Sequence, residues 1–151
     1  MKKTIYLLGV SLLLVSMVMA SCASAPKTII TNSNLPALKG NWQGWTTFSS
    51  LQSTPVLTYL EITNDTVPVQ GKMTLSSLPD RVALAFPADS KTAGGDVTIN
   101  FNNGTITDQG TLKGNSGQNF LEFTYYAGEK QKLNGWFYYY GTNGTVELTK
   151  K

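Results

Sequence analysis

Hydrophobic and polar residues alternate with a period of two from Gly40 to the end of the chain. This period is typical of strands that bury one face of a sheet. No window after residue 30 has the spacing of an amphipathic helix. The pattern therefore predicts strands at residues 40–49, 56–63, 68–76, 81–86, 96–101, 104–114, 119–126, 132–140 and 145–150.

Residues that favour turns separate these strands. We predict turns at Pro55, Asn64-Asp65, Pro79-Asp80, Gly94-Gly95, Asn103-Gly104, Gly128 and Asn143-Gly144. Short strands joined in this way predict an all-β fold, an antiparallel up-and-down β-barrel of about eight strands, with a β-sandwich as the alternative. A barrel of that size is either filled by side chains or holds one small ligand.

The alternation also predicts which side chains face the barrel interior. Leu60, Ile62, Leu84 and Leu148 belong to this inward set, and Thr46 and Thr58 are among its few polar members. If the interior is hollow, its aromatic side chains are the candidate ligand-binding residues. These are Trp42, Phe86, Phe101, Phe123, Tyr125, Phe137 and Tyr139.

A second aromatic set falls on the outward face. Exposed aromatic clusters mark binding surfaces on many proteins, and the candidate partner-binding residues here are Trp45, Trp136, Tyr138 and Tyr140. Tyr59, Phe120 and Tyr126 are also predicted to face outward. Two alternatives stay open: a bulge at Gly44 or Gly135 that turns a neighbour inward, or aromatic residues that merely suit a half-wet sheet.

The first residues have the order of a secretory signal. Lys2 and Lys3 precede an apolar stretch over residues 5–20, and small residues follow it. The stretch is short for a permanent span, which needs about 20 apolar residues, although an uncleaved anchor is an alternative.

The four residues Met19-Ala20-Ser21-Cys22 resemble the lipobox of bacterial lipoproteins, and Cys22 is the only cysteine of the chain. The resemblance implies cleavage before Cys22, a diacylglycerol on its sulfur and an acyl chain such as palmitate on its amino group. Two or more acyl chains hold a protein firmly on a membrane. Ala23, rather than Asp, after the cysteine is compatible with an outer membrane, so we expect a lipid-anchored protein of the bacterial envelope.

Three segments follow from these patterns: a signal at residues 1–21, a lipidated tether at 22–39 and a β-barrel domain at 40–151. The tether is rich in Ser, Thr, Asn, Ala and Pro, as flexible linkers are. Ile29 and Ile30 are the residues in it that could dock on the domain.

The stretch Leu38-Lys39-Gly40-Asn41-Trp42 resembles the opening of the first strand in avidin-like and lipocalin-like (calycin) barrels. The resemblance implies a small barrel in which the tryptophan closes one end. It does not identify a ligand, because no biotin-contacting set maps onto this chain.

Charge and residue content exclude several functions. Of 12 basic residues Lys2 and Lys3 belong to the signal, which leaves 10 against 9 acidic residues, so nucleic acid is not an expected partner. Without histidine, neither a histidine-dependent triad nor a histidine metal site can form. We therefore expect no enzymatic activity, no cofactor and no metal site.

The expected function is that of a membrane-anchored binding module that takes a small or apolar ligand in its barrel. The alternative is a structural or protein-interaction lipoprotein with a filled barrel and an aromatic outer face, which binds another envelope protein.

Replacing the lipidated cysteine tests the anchor. Cys22→Ala removes the sulfur that accepts the lipid, so the protein should leave the membrane fraction or remain there with its signal uncleaved. Intact-mass measurement of the wild-type chain decides the matter. A mature chain that starts at Cys22 without added acyl mass would contradict the prediction.

Overall fold

The computed structural model describes residues 25–51, 54–92, 94–116 and 118–151. The signal and the Met19–Cys22 motif lie outside the described residues. The strands are β1 (Lys27–Thr28), β2 (Gly40–Phe48), β3 (Pro55–Ile62), β4 (Val69–Leu75), β5 (Val97–Ile106), β6 (Leu112–Ser116), β7 (Asn119–Tyr126), β8 (Lys132–Tyr139) and β9 (Thr142–Lys150). Within these ranges, the helical segments are α1 (Asp80–Ala83) and three 3-10 turns, at Leu35–Ala37, Ser49–Leu51 and Ala88–Ser90.

Strands β2 to β9 form a closed barrel. Each strand pairs antiparallel with the next along the chain, and β9 returns to pair with β2. This arrangement confirms the predicted eight-stranded up-and-down barrel and excludes the sandwich, because one sheet closes on itself. Alternation holds along the strands, as in β3, where Val56, Thr58, Leu60 and Ile62 are buried.

The segment before Gly40 is part of the folded domain from residue 27. β1 pairs with the last two residues of β7, beyond Phe123, which pairs with the first residue of β6. Ile30 donates a backbone hydrogen bond of 3.0 Å to the carbonyl of Gly110, and its side chain is buried together with Leu35 and Leu38. The segment interpreted as a tether therefore supplies core side chains, and the domain begins before Gly40.

The barrel has two covered ends. We call the end that carries residues 25–39, the turn at 127–131 and Lys150 the proximal end, and the opposite end the distal end. Leu35 and Leu38 are buried at the proximal end, while Val82 and Phe86 are buried in the loop that crosses the distal end. Side chains therefore cover both mouths of the barrel.

One predicted strand, residues 81–86, is wrong, because α1 and the turn after it occupy this stretch. Pro79 precedes the helix and Asp80 lies in its first turn, both typical of helix starts. Val82 in α1 and Phe86 at the end of the turn that follows it are still buried. Leu84, predicted to face inward, lies between them on the opposite side and is 78% exposed.

The turn predicted at Asn103-Gly104 is also wrong, because β5 runs through it to Ile106. The side chain of Asn103 accepts a hydrogen bond of 2.9 Å from the backbone N–H of Asn115, and its amide donates to the Asn115 carbonyl. This side chain thus replaces ladder hydrogen bonds between β5 and β6. The chain reverses later, at residues 107–111, where Gly110 has a φ of +66°.

The last hairpin turns at Tyr140-Gly141 and not at the predicted Asn143-Gly144. Tyr140 and Gly141 have φ values of +47° and +77°. A two-residue hairpin turn whose twist matches that of the strands can require positive φ at both central residues. Asn119 accepts a hydrogen bond of 2.9 Å from the N–H of Tyr140 and fixes the turn against β7. Gly144 therefore lies inside β9.

Inward-facing phenylalanines lie opposite glycines. On neighbouring strands, Phe101 pairs with Gly71, Phe123 with Gly135, and both Phe137 and Phe48 with Gly144. A methyl group on Gly71 would lie 2.5 Å from the Phe101 ring and 2.6 Å from the Glu61 carbonyl oxygen. The rings therefore occupy space that only glycine leaves open.

The register is regular at Gly44 and Gly135, where a bulge was the alternative; it shifts instead between Val69 and Gly71.

Trp42 is buried near the proximal end. Its Nε1 donates a hydrogen bond of 2.8 Å to the carbonyl of Leu38, and its ring meets Tyr125 edge-on at 6.4 Å. Lys150 places its Nζ 5.4 Å from the Trp42 ring centroid and donates to the carbonyl of Ala37. These contacts join the segment before β2 to the barrel wall.

Truncating Trp42 should destabilise the domain strongly. It is 1% exposed, whereas Trp45 on the same strand is 53% exposed. Removing a buried tryptophan costs about 3–5 kcal/mol, so Trp42→Ala should lower the denaturation midpoint far more than the matched control Trp45→Ala. Denaturant titration measures both, and the reverse order would mean that the β2 register is wrong by one residue.

Adding one methyl group inside the barrel should also destabilise it. Gly71→Ala forces the Phe101 ring out of its place, and such overpacking costs about 1–3 kcal/mol. Gly94→Ala is the matched control, since its nearest neighbour would be 4.0 Å away and its backbone has no positive φ. Equal denaturation midpoints for the two variants would contradict this account of the interior.

Candidate functional site

The interior candidates are packed against one another. All seven are at most 8% exposed. Their rings make edge-on contacts with other buried rings, such as that of Phe137 with Phe48, whose centroids are 5.5 Å apart. Burial raises the pKa of Tyr125 and of Tyr139, and the neighbouring Tyr140 raises that of Tyr139 further. The side chains that were candidates for a ligand site therefore form the core.

The polar groups of the interior bond to each other. The hydroxyl oxygens of Thr46 and Thr58 are 2.7 Å apart, and that of Thr58 lies 3.0 Å from the carbonyl oxygen of Val56. Both threonines are fully buried. The hydroxyls of these two threonines are therefore already paired with protein groups.

On the outer face, three aromatic side chains of β7 and β8 form one cluster. Phe120 is paired with Tyr138 across the strands, and their rings stack at 6.2 Å. Trp136 meets Phe120 edge-on at 4.5 Å and is 47% exposed. The Nζ of Lys113 lies 4.9 Å from the centroid of Phe120, at the edge of the cluster.

A groove of about 490 Å³ runs along this cluster. We call it the aromatic groove; it is lined by Phe120, Trp136 and Tyr138 together with Ser49, Gln118, Asn143, Gly144 and Thr145. None of these described lining residues is charged. The groove thus combines apolar ring surfaces with amide and hydroxyl groups, as ligand sites commonly do.

The structure separates the four predicted outer residues. Trp136 and Tyr138 line the aromatic groove, but Trp45 lies opposite Glu147 and lines a separate groove of about 240 Å³. Tyr140 occupies the hairpin turn, where it packs against Tyr139. The predicted set is therefore not one contiguous face.

Phe120 is the residue that the candidate set lacked. The alternation already placed its side chain outside, but its contact with Tyr138 depends on the pairing of β7 with β8. Sequence reasoning cannot give that register without the position of the turn.

The part of the chain that the structure describes contains no cluster of metal-ligating side chains. No three His, Cys, Asp or Glu side chains there are grouped to hold a metal ion.

The two salt bridges among the described residues, Lys39–Asp65 and Lys72–Glu61, are solvent-exposed. Exposed pairs of this kind contribute little to stability.

None of the helices within the described ranges has the length and hydrophobicity needed to cross a membrane. Comparison of the chain with protein-family models, with curated proteins and with solved structures found no match.

Proposed function

We propose that the chain is a lipid-anchored, non-catalytic binding protein of the bacterial envelope, and that it binds a neutral glycan in the aromatic groove. The proposed anchor is Cys22, on the resemblance of Met19–Cys22 to a lipobox, and the proposed location is the outer membrane. The proposed binding residues are Phe120, Trp136 and Tyr138.

The single observation that carries the proposal is the exposed cluster of Trp136, Phe120 and Tyr138 beside uncharged polar side chains. Sugar rings carry apolar C–H faces, which pack on aromatic rings, and hydroxyl groups, which bond to amides and hydroxyls. Gln118, Asn143 and Thr145 supply such groups along the groove. A charged ligand would find no charged partner in this described lining.

The packed interior supports the same choice. A ligand inside the barrel would have to displace phenylalanine rings and open an end that buried side chains cover. Displacing large core side chains costs several kcal/mol each. The binding function is therefore assigned to the outer surface, as in the second of the two functions that the sequence suggests.

Titration with uncharged oligosaccharides tests the proposal. Calorimetry with gluco-, galacto- and N-acetylglucosamine oligomers should detect binding by the purified lipoprotein in detergent. Trp136→Ala should weaken it by about tenfold or more, since a central aromatic hot spot is worth about 2 kcal/mol and tenfold corresponds to about 1.4 kcal/mol.

Trp45→Ala is the control, because it removes an equally exposed tryptophan outside the groove. Both variants should keep the wild-type denaturation midpoint. Absence of binding to every oligomer, or an equal loss in the two variants, would overturn the glycan assignment.

A further inference from the structure

The structure shows where the chain enters the barrel. Ala25 contacts the turn at Gly128, where a methyl group would lie 3.2 Å from the Ala25 side chain, and Lys27 pairs with Tyr126. Cys22 precedes Ala25 by three residues, and three residues span at most about 10 Å. A lipid on Cys22 would therefore hold the proximal end within reach of the bilayer.

The surface around this entry point carries lysines. Lys27 and Lys132 flank Tyr126 in one row across β1, β7 and β8, and Lys130 lies in the turn between β7 and β8. Lys151 follows β9, the next strand in this wall of the barrel. All four lysines are exposed, and no described carboxylate lies within 4.0 Å of any of them.

The carboxylates near these lysines are few. Glu129 lies in the same turn, and Glu147 lies farther along β9. At other parts of the proximal end, Asp65 is already paired with Lys39, and Asp108 lies exposed in the turn at residues 107–111. We call Lys27, Lys130, Lys132 and Lys151 the proximal lysine face.

The distal end has the opposite balance. Its long loop carries Asp80, Asp89 and Asp96 against Arg81 and Lys91. Positive charge is therefore concentrated at the end where the chain leads to Cys22.

We propose that the proximal lysine face docks on anionic phospholipid headgroups of the leaflet that holds the anchor; the inference rests on the proposed lipidation of Cys22. Lysines close to an anionic membrane surface are attracted to it, and an aromatic residue such as Tyr126 suits the headgroup region. Docking fixes the orientation of the barrel, with its distal end away from the membrane.

This orientation also positions the aromatic groove. Ser49, Gln118, Tyr138 and Asn143 all lie close to the distal end, at or next to the loops and turns there. The groove then faces outward from the membrane surface, where a glycan can reach it.

A single introduced cysteine can report the orientation, because acylation of Cys22 leaves the chain without another thiol. Ala127→Cys and Ala88→Cys place exposed thiols at the proximal and distal ends. Each full-length lipoprotein is labelled with a fluorophore and reconstituted in vesicles that contain a nitroxide-headgroup quencher. On vesicles of phosphatidylglycerol and phosphatidylcholine, the label at residue 127 should be quenched more strongly than that at residue 88.

Charge removal tests the role of the lysines. In the 127-labelled protein, Lys130→Gln with Lys132→Gln should reduce quenching, since each lysine near the surface changes the docking equilibrium about fivefold. Arg81→Gln with Lys91→Gln removes the same charge at the distal end and should leave quenching unchanged. High salt should act like the lysine variant.

The outcomes separate the anchor from the docking. A protein that lacks acyl mass and does not float with phosphatidylcholine vesicles overturns the anchor, and the inference with it. A protein that floats but shows equal quenching at both labels, or equal quenching with and without phosphatidylglycerol, overturns the docking alone. Glycan binding measured in detergent is independent of either result.

Discussion

The inward phenylalanines and the glycines opposite them determine what this barrel can do. Each ring lies across the space that a side chain on the neighbouring strand would fill, at Phe101 with Gly71, Phe123 with Gly135, and Phe137 with Gly144. Protein interiors are packed as densely as organic crystals, and eight strands enclose little more than their own side chains. The interior is therefore filled by side chains, and the proposed binding site lies on the outer surface.

The N-terminal segment is packed against the proximal end of the barrel. Trp42 bonds to the carbonyl of Leu38, and Lys150 bonds to that of Ala37 while its Nζ lies near the Trp42 ring. The segment is thus held against the proximal end, and β1 continues it along β7. The same contacts that cover the barrel also direct the chain toward Cys22, so packing and the proposed membrane orientation share one cause.

Alternation was sufficient to predict the barrel and the opposite sides of Trp42 and Trp45, because a strand buries every second residue. It failed where another physical rule gives the same spacing. Val82 and Phe86 have the spacing of a strand face, but α1 and the turn after it also bury both, so the pattern could not separate this segment from a strand. At Asn103-Gly104, a turn signal lies within β5 because the Asn103 side chain bonds to Asn115 across the ladder. Such hydrogen bonds depend on tertiary contacts that composition does not contain.

The candidate site was predictable only in part, and the reason is register. A two-residue turn at Asn143-Gly144 would place Phe137 opposite Lys150, whereas the turn at Tyr140-Gly141 places it opposite Gly144. The second register accommodates the ring, so the core selects it. That choice also aligns Tyr138 with Asn143 and Trp136 with Thr145. The separate register of β7 with β8, in which Phe123 lies opposite Gly135, aligns Phe120 with Tyr138. The two Phe–Gly pairs inside the barrel, Phe123 with Gly135 and Phe137 with Gly144, therefore belong to the same two registers that assemble the aromatic groove on its outside.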